Sequence, residues 1–103
     1  MRWKEVLYTR RLQRPLDDAT REAITGEFAR RRYEIPMPTE LLWHSQLPQF
    51  TIKSPLVSFV VKFGREEMQV DAELSLAGKA MATQRHRAKA VGFIESIVTA
   101  IGL

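Results

Sequence analysis

The sequence predicts an α+β domain: an antiparallel sheet of four to five strands with two helices packed on one face, in the order β-α-(β)-β-β-β-α. Three observations predict it. Residues 56–63 and 67–76 alternate apolar and polar side chains at period two, as half-buried strands do. The last stretch of the chain repeats apolar residues at a helical period. The connections between the predicted strands are short, which favours antiparallel neighbours.

Trp3 to Leu12 has a β-rich centre, Val-Leu-Tyr-Thr, and predicts the first strand. Pro15 fixes the entry to a helix running from Leu16 to about Tyr33. Asp17 or Asp18 is placed to cap it, and Leu16, Ala19, Ala23, Ile24 and Phe28 fall within one broad arc. Arg30, Arg31 and Arg32 occupy the last turn, where the helix dipole favours cations. Pro36 and Pro38 then stop the helix. Leu41 to His44 reads as either strand or loop. Gln49 to Lys53 reads as a short strand with Phe50 and Ile52 alternating.

The hairpin follows. Val57, Phe59, Val61 and Phe63 share one face of its first strand; Met68, Val70, Ala72, Leu74 and Leu76 share one face of its second. Gly64-Arg65-Glu66 supplies the turn. Glu67, Gln69, Asp71, Glu73 and Ser75 form the opposite, solvated face. In the final helix, Val91, Ile94, Ile97, Val98 and Ile101 make the apolar stripe, and Gly78 and Thr83 are the candidate starts.

Composition narrows the function classes. The 103 residues make one domain, residues 1–103, with 45% hydrophobic and 27% charged side chains and a net charge of +4. There is no cysteine, which excludes disulfides, thiolate metal sites and a Cys nucleophile. No apolar run approaches the roughly 18 residues of a membrane span. The first residues lack the apolar segment of a signal peptide, so a cytoplasmic location is expected.

No motif of catalysis is present. Gly26, Gly64, Gly78, Gly92 and Gly102 form no phosphate-binding loop, and no nucleophile elbow occurs. Only His44 and His86 could serve as nitrogen ligands, and His86 stands between Arg85 and Arg87, which repel a cation. Neither a metal nor a cofactor is expected. The carboxylates Asp71 and Glu73 share a strand face, and an enzyme using them would need a cleft joining them to His44.

The basic residues gather at Arg10, Arg11 and Arg14, at Arg30 to Arg32, and between Lys79 and Lys89. The last segment holds Lys79, Arg85, His86, Arg87 and Lys89 and no acid, and it is the leading candidate binding surface. Eleven of the sixteen basic residues are arginine, which suits phosphate contacts. Binding of RNA or single-stranded DNA would use Arg10, Arg11, Arg14 and a stacking Trp43.

The order of features resembles the polyhydroxyalkanoic acid system (granule-region) family. The resemblance rests on Leu16 and Ala19 opening the first helix, Trp43 after it, Phe50, the strand ending in Glu73-Leu74-Ser75-Leu76, and Ile94 and Ile97 in the last helix. Arg14 stands about where that family carries a histidine. The resemblance implies a non-enzymatic accessory protein associated with polyester granules, with no catalytic residues. The hairpin and long final helix are also loosely similar to helix-grip lipid-binding folds.

The leading expectation is therefore a non-enzymatic binding or accessory module, a homodimer, meeting a protein, granule surface or other apolar partner. The alternatives are nucleic-acid binding through the arginine-rich segments and binding of a small ligand or lipid.

Overall fold

Five strands, Trp3–Arg11 (β1), Glu40–Trp43 (β2), Gln49–Lys53 (β3), Val57–Phe63 (β4) and Glu67–Leu74 (β5), form one antiparallel sheet in the order β1-β5-β4-β3-β2. The computed structural model describes residues 3–35, 38–55, 57–75 and 83–103. Two helices, Asp18–Arg31 (α1) and Gln84–Ala100 (α2), cover one face of the sheet. Strands β2 to β5 are a simple meander. β1 pairs with β5 at one edge, so the chain must cross the whole sheet to begin β2 at the other edge. α1 makes that crossing.

The hairpin forms where its alternation predicts. Gly64 N–H donates to Glu67 O at 2.8 Å and closes the turn. The inward row Tyr8, Val70, Val61, Phe50, Trp43 runs across all five strands. Glu5, Ala72, Phe59, Ile52 and Leu41 form the next. Leu56, Leu76, Pro36 and the alternative helix start Gly78 lie outside the described residues.

β1 departs from strict alternation. Its register with β5 shifts between Val6 and Tyr8. The bulge keeps Glu5 and Tyr8 on the same, helix-covered face although they are three residues apart. Val6 is turned outward and is 62% exposed. Leu41 to His44, ambiguous in sequence, contributes a strand, Glu40–Trp43, whose four residues are too few to display a period.

α1 is shorter than its sequence pattern predicts. Asp17 is the N-cap and makes a capping box: Thr20 N–H donates to Asp17 Oδ1 at 2.8 Å, and Asp17 N–H donates to Thr20 Oγ1 at 2.8 Å. Thr20, Ile24 and Phe28, spaced by four, form the buried stripe, whereas Ala19 is exposed. A 3₁₀ turn over Arg32–Glu34 ends the element before the prolines are reached. Arg30 and Arg31 sit in the last turn, where they pair with Glu27 and Glu34.

Thr83, the second of the two candidate starts, caps α2 by accepting from His86 N–H at 3.2 Å. Ile94, Ile97 and Val98 are the buried residues of α2 and pack with Ile24, Phe28, Val61 and Val70. Gly102, at φ 82°, turns the chain back so that Leu103 is only 1% exposed. Arg14 holds this turn: Nη2 donates to Ile101 O at 2.7 Å and Nε to Gly102 O at 3.2 Å. A cation on the last carbonyls of a helix also answers its dipole.

The open face of the sheet is polar but not idle. Lys62 pairs with Asp71 at 3.0 Å and Lys4 with Glu73 at 3.4 Å. Gln69 Nε2 donates to Asp71 Oδ1 at 2.7 Å. Within this face Ser58 and Val60, on the central strand, are buried.

Leu103→Ala should destabilise the fold by about 2–5 kcal/mol, the range for truncating a buried leucine, measured as a lowered midpoint in urea. Asp17 is held below its ordinary value by the Thr20 backbone N–H and then by the Thr20 hydroxyl. Its folded value lies below its unfolded one, so its stabilisation is complete above about pH 4 and fades as pH falls through the native value. The acid limb of the melting temperature against pH should be shallower in Asp17→Asn than in the wild type.

Candidate functional site

The helices do not cover the sheet evenly. α1 and α2 meet where the Phe28 and Phe93 rings approach edge to face, 6.3 Å between centroids. Beyond this contact α1 has given way to the 3₁₀ turn. The first turns of α2, Gln84 to Lys89, carry no large apolar residue to lay on the strands. A cleft of about 790 Å³ opens there between α2, the 3₁₀ turn and the ends of β3, β4 and β5. That size falls within the roughly 300–1,000 Å³ of small-molecule pockets.

Its floor is apolar. Ile52 from β3, Val57 and Phe59 from β4, and Ala72 and Leu74 from β5 face it from the sheet. Phe93 and Ile94 close it from α2. The small residues Ala72, Ala90 and Gly92 leave the space open, and a Cβ built on Gly92 would meet no atom within 4 Å.

Its rim is charged. Arg87 Nε donates to Glu5 Oε1 and ties α2 to the edge strand β1. Arg31 Nε donates to Glu34 Oε2 at 2.9 Å, and its guanidinium lies over the Phe93 ring at 5.4 Å. This hydrogen bond, opposed in part by burial, holds the Glu34 carboxyl below its usual range and the Arg31 guanidinium above its own. His86 and Lys89 complete the basic side. Thr39, just before β2, lines the cleft, and its hydroxyl oxygen is buried and without a hydrogen-bond partner among the described residues.

The basic segment singled out by sequence is therefore largely a cleft rim. His86, Arg87 and Lys89 line the opening. Arg85 is exposed on the first turn of α2 and is not part of the lining, and Lys79 lies outside the described residues.

Arg10, Arg11, Arg14 and Trp43 are not brought together. Arg10 Nη1 donates to Thr99 Oγ1 at 3.1 Å and lies 3.9 Å from Glu95. Glu95 also meets Tyr8, whose phenol is raised above its ordinary value by burial and then by that contact. Arg11 approaches Glu66 at 3.7 Å, and Arg14 serves the end of α2. Trp43 stands on the opposite edge strand. Its Nε1 donates to Thr25 Oγ1 at 2.8 Å, its ring packs on Phe50 at 4.9 Å, and Arg21 lies over it at 5.0 Å. Trp43 thus ties β2 to α1.

The carboxylates and histidine weighed for acid–base work are equally separate. Asp71 and Glu73 face away from the helices in ion pairs with Lys62 and Lys4. His44 lies beyond β2, its Nδ1 accepting from Gln46 and Leu47 N–H at 3.0 and 2.9 Å. Among the described residues, no three His, Asp or Glu side chains converge as metal ligands.

Sequence reasoning missed Glu5, Glu34, Phe59 as floor and Thr39. Glu5 is inward only because of the bulge, and nothing around Thr39 marks it. Compared with known proteins, the chain matches no family model, no curated protein and no solved structure.

Proposed function

We propose that this chain is a non-catalytic binding module whose cleft takes an apolar ligand. The observation that carries this reading is an apolar floor beneath a charged rim, the arrangement that small-molecule sites use to combine burial with orientation. Burial of apolar surface supplies the affinity, at about 25 cal/mol per Å² removed from water before the costs of association. The rim groups align whatever polar end the ligand carries. The groups weighed for acid–base work, Asp71, Glu73 and His44, lie apart from the cleft, which supports binding rather than catalysis by them.

The family resemblance points to the same chemistry, because a polyester surface presents aliphatic chains and esters. Association with such a surface is tested by co-sedimentation with polyester beads. Retention on the beads in low salt is expected; loss of all binding there would count against a granule role. The module is proposed to act as a homodimer, since β1 and β2 lie at the sheet edges. Sedimentation velocity should give a dimer at high micromolar concentration, and a strict monomer would overturn that part.

The cleft itself is tested at Gly92. A side chain placed there enters open space. Gly92→Leu should keep or raise the melting temperature, because glycine costs a helix interior about 1 kcal/mol relative to good helix formers. It should also weaken calorimetrically measured binding of twelve-carbon aliphatic ligands at least about tenfold. Undiminished binding in the folded variant would place the ligand elsewhere.

A further inference from the structure

Resting on the dimer reading, the two edges of the sheet can be told apart by their fitness for pairing with a second copy. β1 is blunted by devices that keep edges unpaired: a bulge between Val6 and Tyr8, and the cations Lys4, Arg10 and Arg11 along its length. β2 has neither. Its four residues, Glu40 to Trp43, include no lysine, arginine or proline, and Leu42 is 45% exposed. Leu47, in the turn that follows, is also exposed. Among the described residues, no strand lies outside β2.

The backbone of β2 fixes which groups face outward. His44 N–H donates to Gln49 O at 2.9 Å, which extends the register of β2 with β3 by one residue. In an antiparallel ladder, alternate residues turn both backbone groups to the same neighbour. Glu40, Leu42 and His44 therefore turn theirs to β3. Leu41 and Trp43 each present an N–H and a C=O to the open edge. The same alternation places Glu40, Leu42 and His44 on the face of the sheet away from the helices, in line with Lys53, Thr51 and Gln49. His44 Nδ1 accepts from Gln46 and Leu47 N–H, so the neutral ring carries its proton on Nε2.

We propose that a second copy of this chain pairs along β2, antiparallel, about a two-fold axis at Leu42. In that register Leu41 exchanges both backbone hydrogen bonds with Trp43 of the second copy, and Trp43 with its Leu41. All four outward groups of each strand are then satisfied. The two Leu42 side chains meet at the axis. Glu40 lies opposite His44 at both ends, a carboxylate acceptor facing an Nε2–H donor. A slip of two residues loses this match, setting Glu40 opposite Leu42 or Leu42 opposite His44. A slip of one residue opposes outward backbone groups with groups already turned to β3. The product is one sheet with five strands from each copy and both helix layers on the same side. The contact spans only Glu40 to His44, which suits a weak, concentration-dependent dimer.

The chain has no cysteine, so introduced thiols report the contact without background. In a non-hydrogen-bonded antiparallel pair the Cα atoms lie about 4.5 Å apart, within disulfide reach. At high micromolar concentration under mild oxidation, Leu42→Cys should form a disulfide-linked dimer at least about tenfold faster than Val6→Cys, which is exposed on the other edge strand. Glu40→Cys and His44→Cys should link slowly alone and rapidly to one another when mixed. By sedimentation velocity, Leu42→Lys should weaken the dimer at least about tenfold without lowering the melting temperature of dilute protein. Val6→Lys should leave the dimer intact.

An undiminished dimer in Leu42→Lys, or linking through Val6→Cys as fast as through Leu42→Cys, would overturn the β2 edge while the dimer stands. Self-linking of Glu40→Cys or His44→Cys as fast as that of Leu42→Cys would overturn the register. A wild type that stays monomeric at high micromolar concentration would overturn the dimer reading itself and leave the β2 edge to a strand of another protein.

Discussion

A sheet with one apolar face must be covered on that face, and here two helices of unequal character do the covering. α1 offers a stripe of only three buried residues, Thr20, Ile24 and Phe28, and it is committed to carrying the chain from one sheet edge to the other. α2 offers Ile94, Ile97 and Val98 in its second half, followed by Leu103. The centre of the sheet is thereby sealed. The strand ends at Val57, Phe59 and Leu74 are left beneath the polar first turns of α2, which cannot pack on them. The cleft results from this mismatch between an apolar floor and a basic helix segment, and so does the cationic character of its rim.

The elements that hold the rim in place are specific. The bulge in β1 turns Glu5 toward α2, where it meets Arg87. In a regular strand Glu5 and Tyr8, three residues apart, would point to opposite faces, and the ion pair could not form. Arg31 is fixed from two directions, by the Glu34 carboxylate and by the Phe93 ring. Such partly exposed pairs contribute little to stability, about 1 kcal/mol or less each. Their consequence is geometric: they occupy two cations and leave Lys89 as the available one.

Much of the fold was legible in the sequence because it follows from period and capping. The alternation of residues 56–63 and 67–76 locates the hairpin, whose strands run Val57–Phe63 and Glu67–Leu74, and the helical stripe from Val91 locates α2. Asp17 is one of two caps the sequence offers for α1, beside Asp18, and Thr83 one of two starts for α2, beside Gly78. Other features had no local signal. Four residues of β2 are too short to show a period. The bulge between Val6 and Tyr8 looks like ordinary strand. The basic run to Lys89 was visible, but its position over an apolar floor depends on where α1 ends. Thr39 carries no local mark in the sequence, since its burial beside the cleft is a property of the fold. The partners of Arg30 and Arg31, Glu27 and Glu34, stand three residues away in sequence, whereas Glu5 and the carbonyls after α2 are brought to Arg87 and Arg14 only by the fold.

The central claim is that the space between α2 and the ends of β3 to β5 is where an aliphatic chain lies. Intermolecular nuclear Overhauser effects between the methylenes of a twelve-carbon aliphatic ligand and protein methyl groups test it most directly. The account predicts contacts to Ile52, Ala72, Leu74 and Ile94. Contacts confined to the exposed side chains Val6, Leu42 and Leu47 would contradict it.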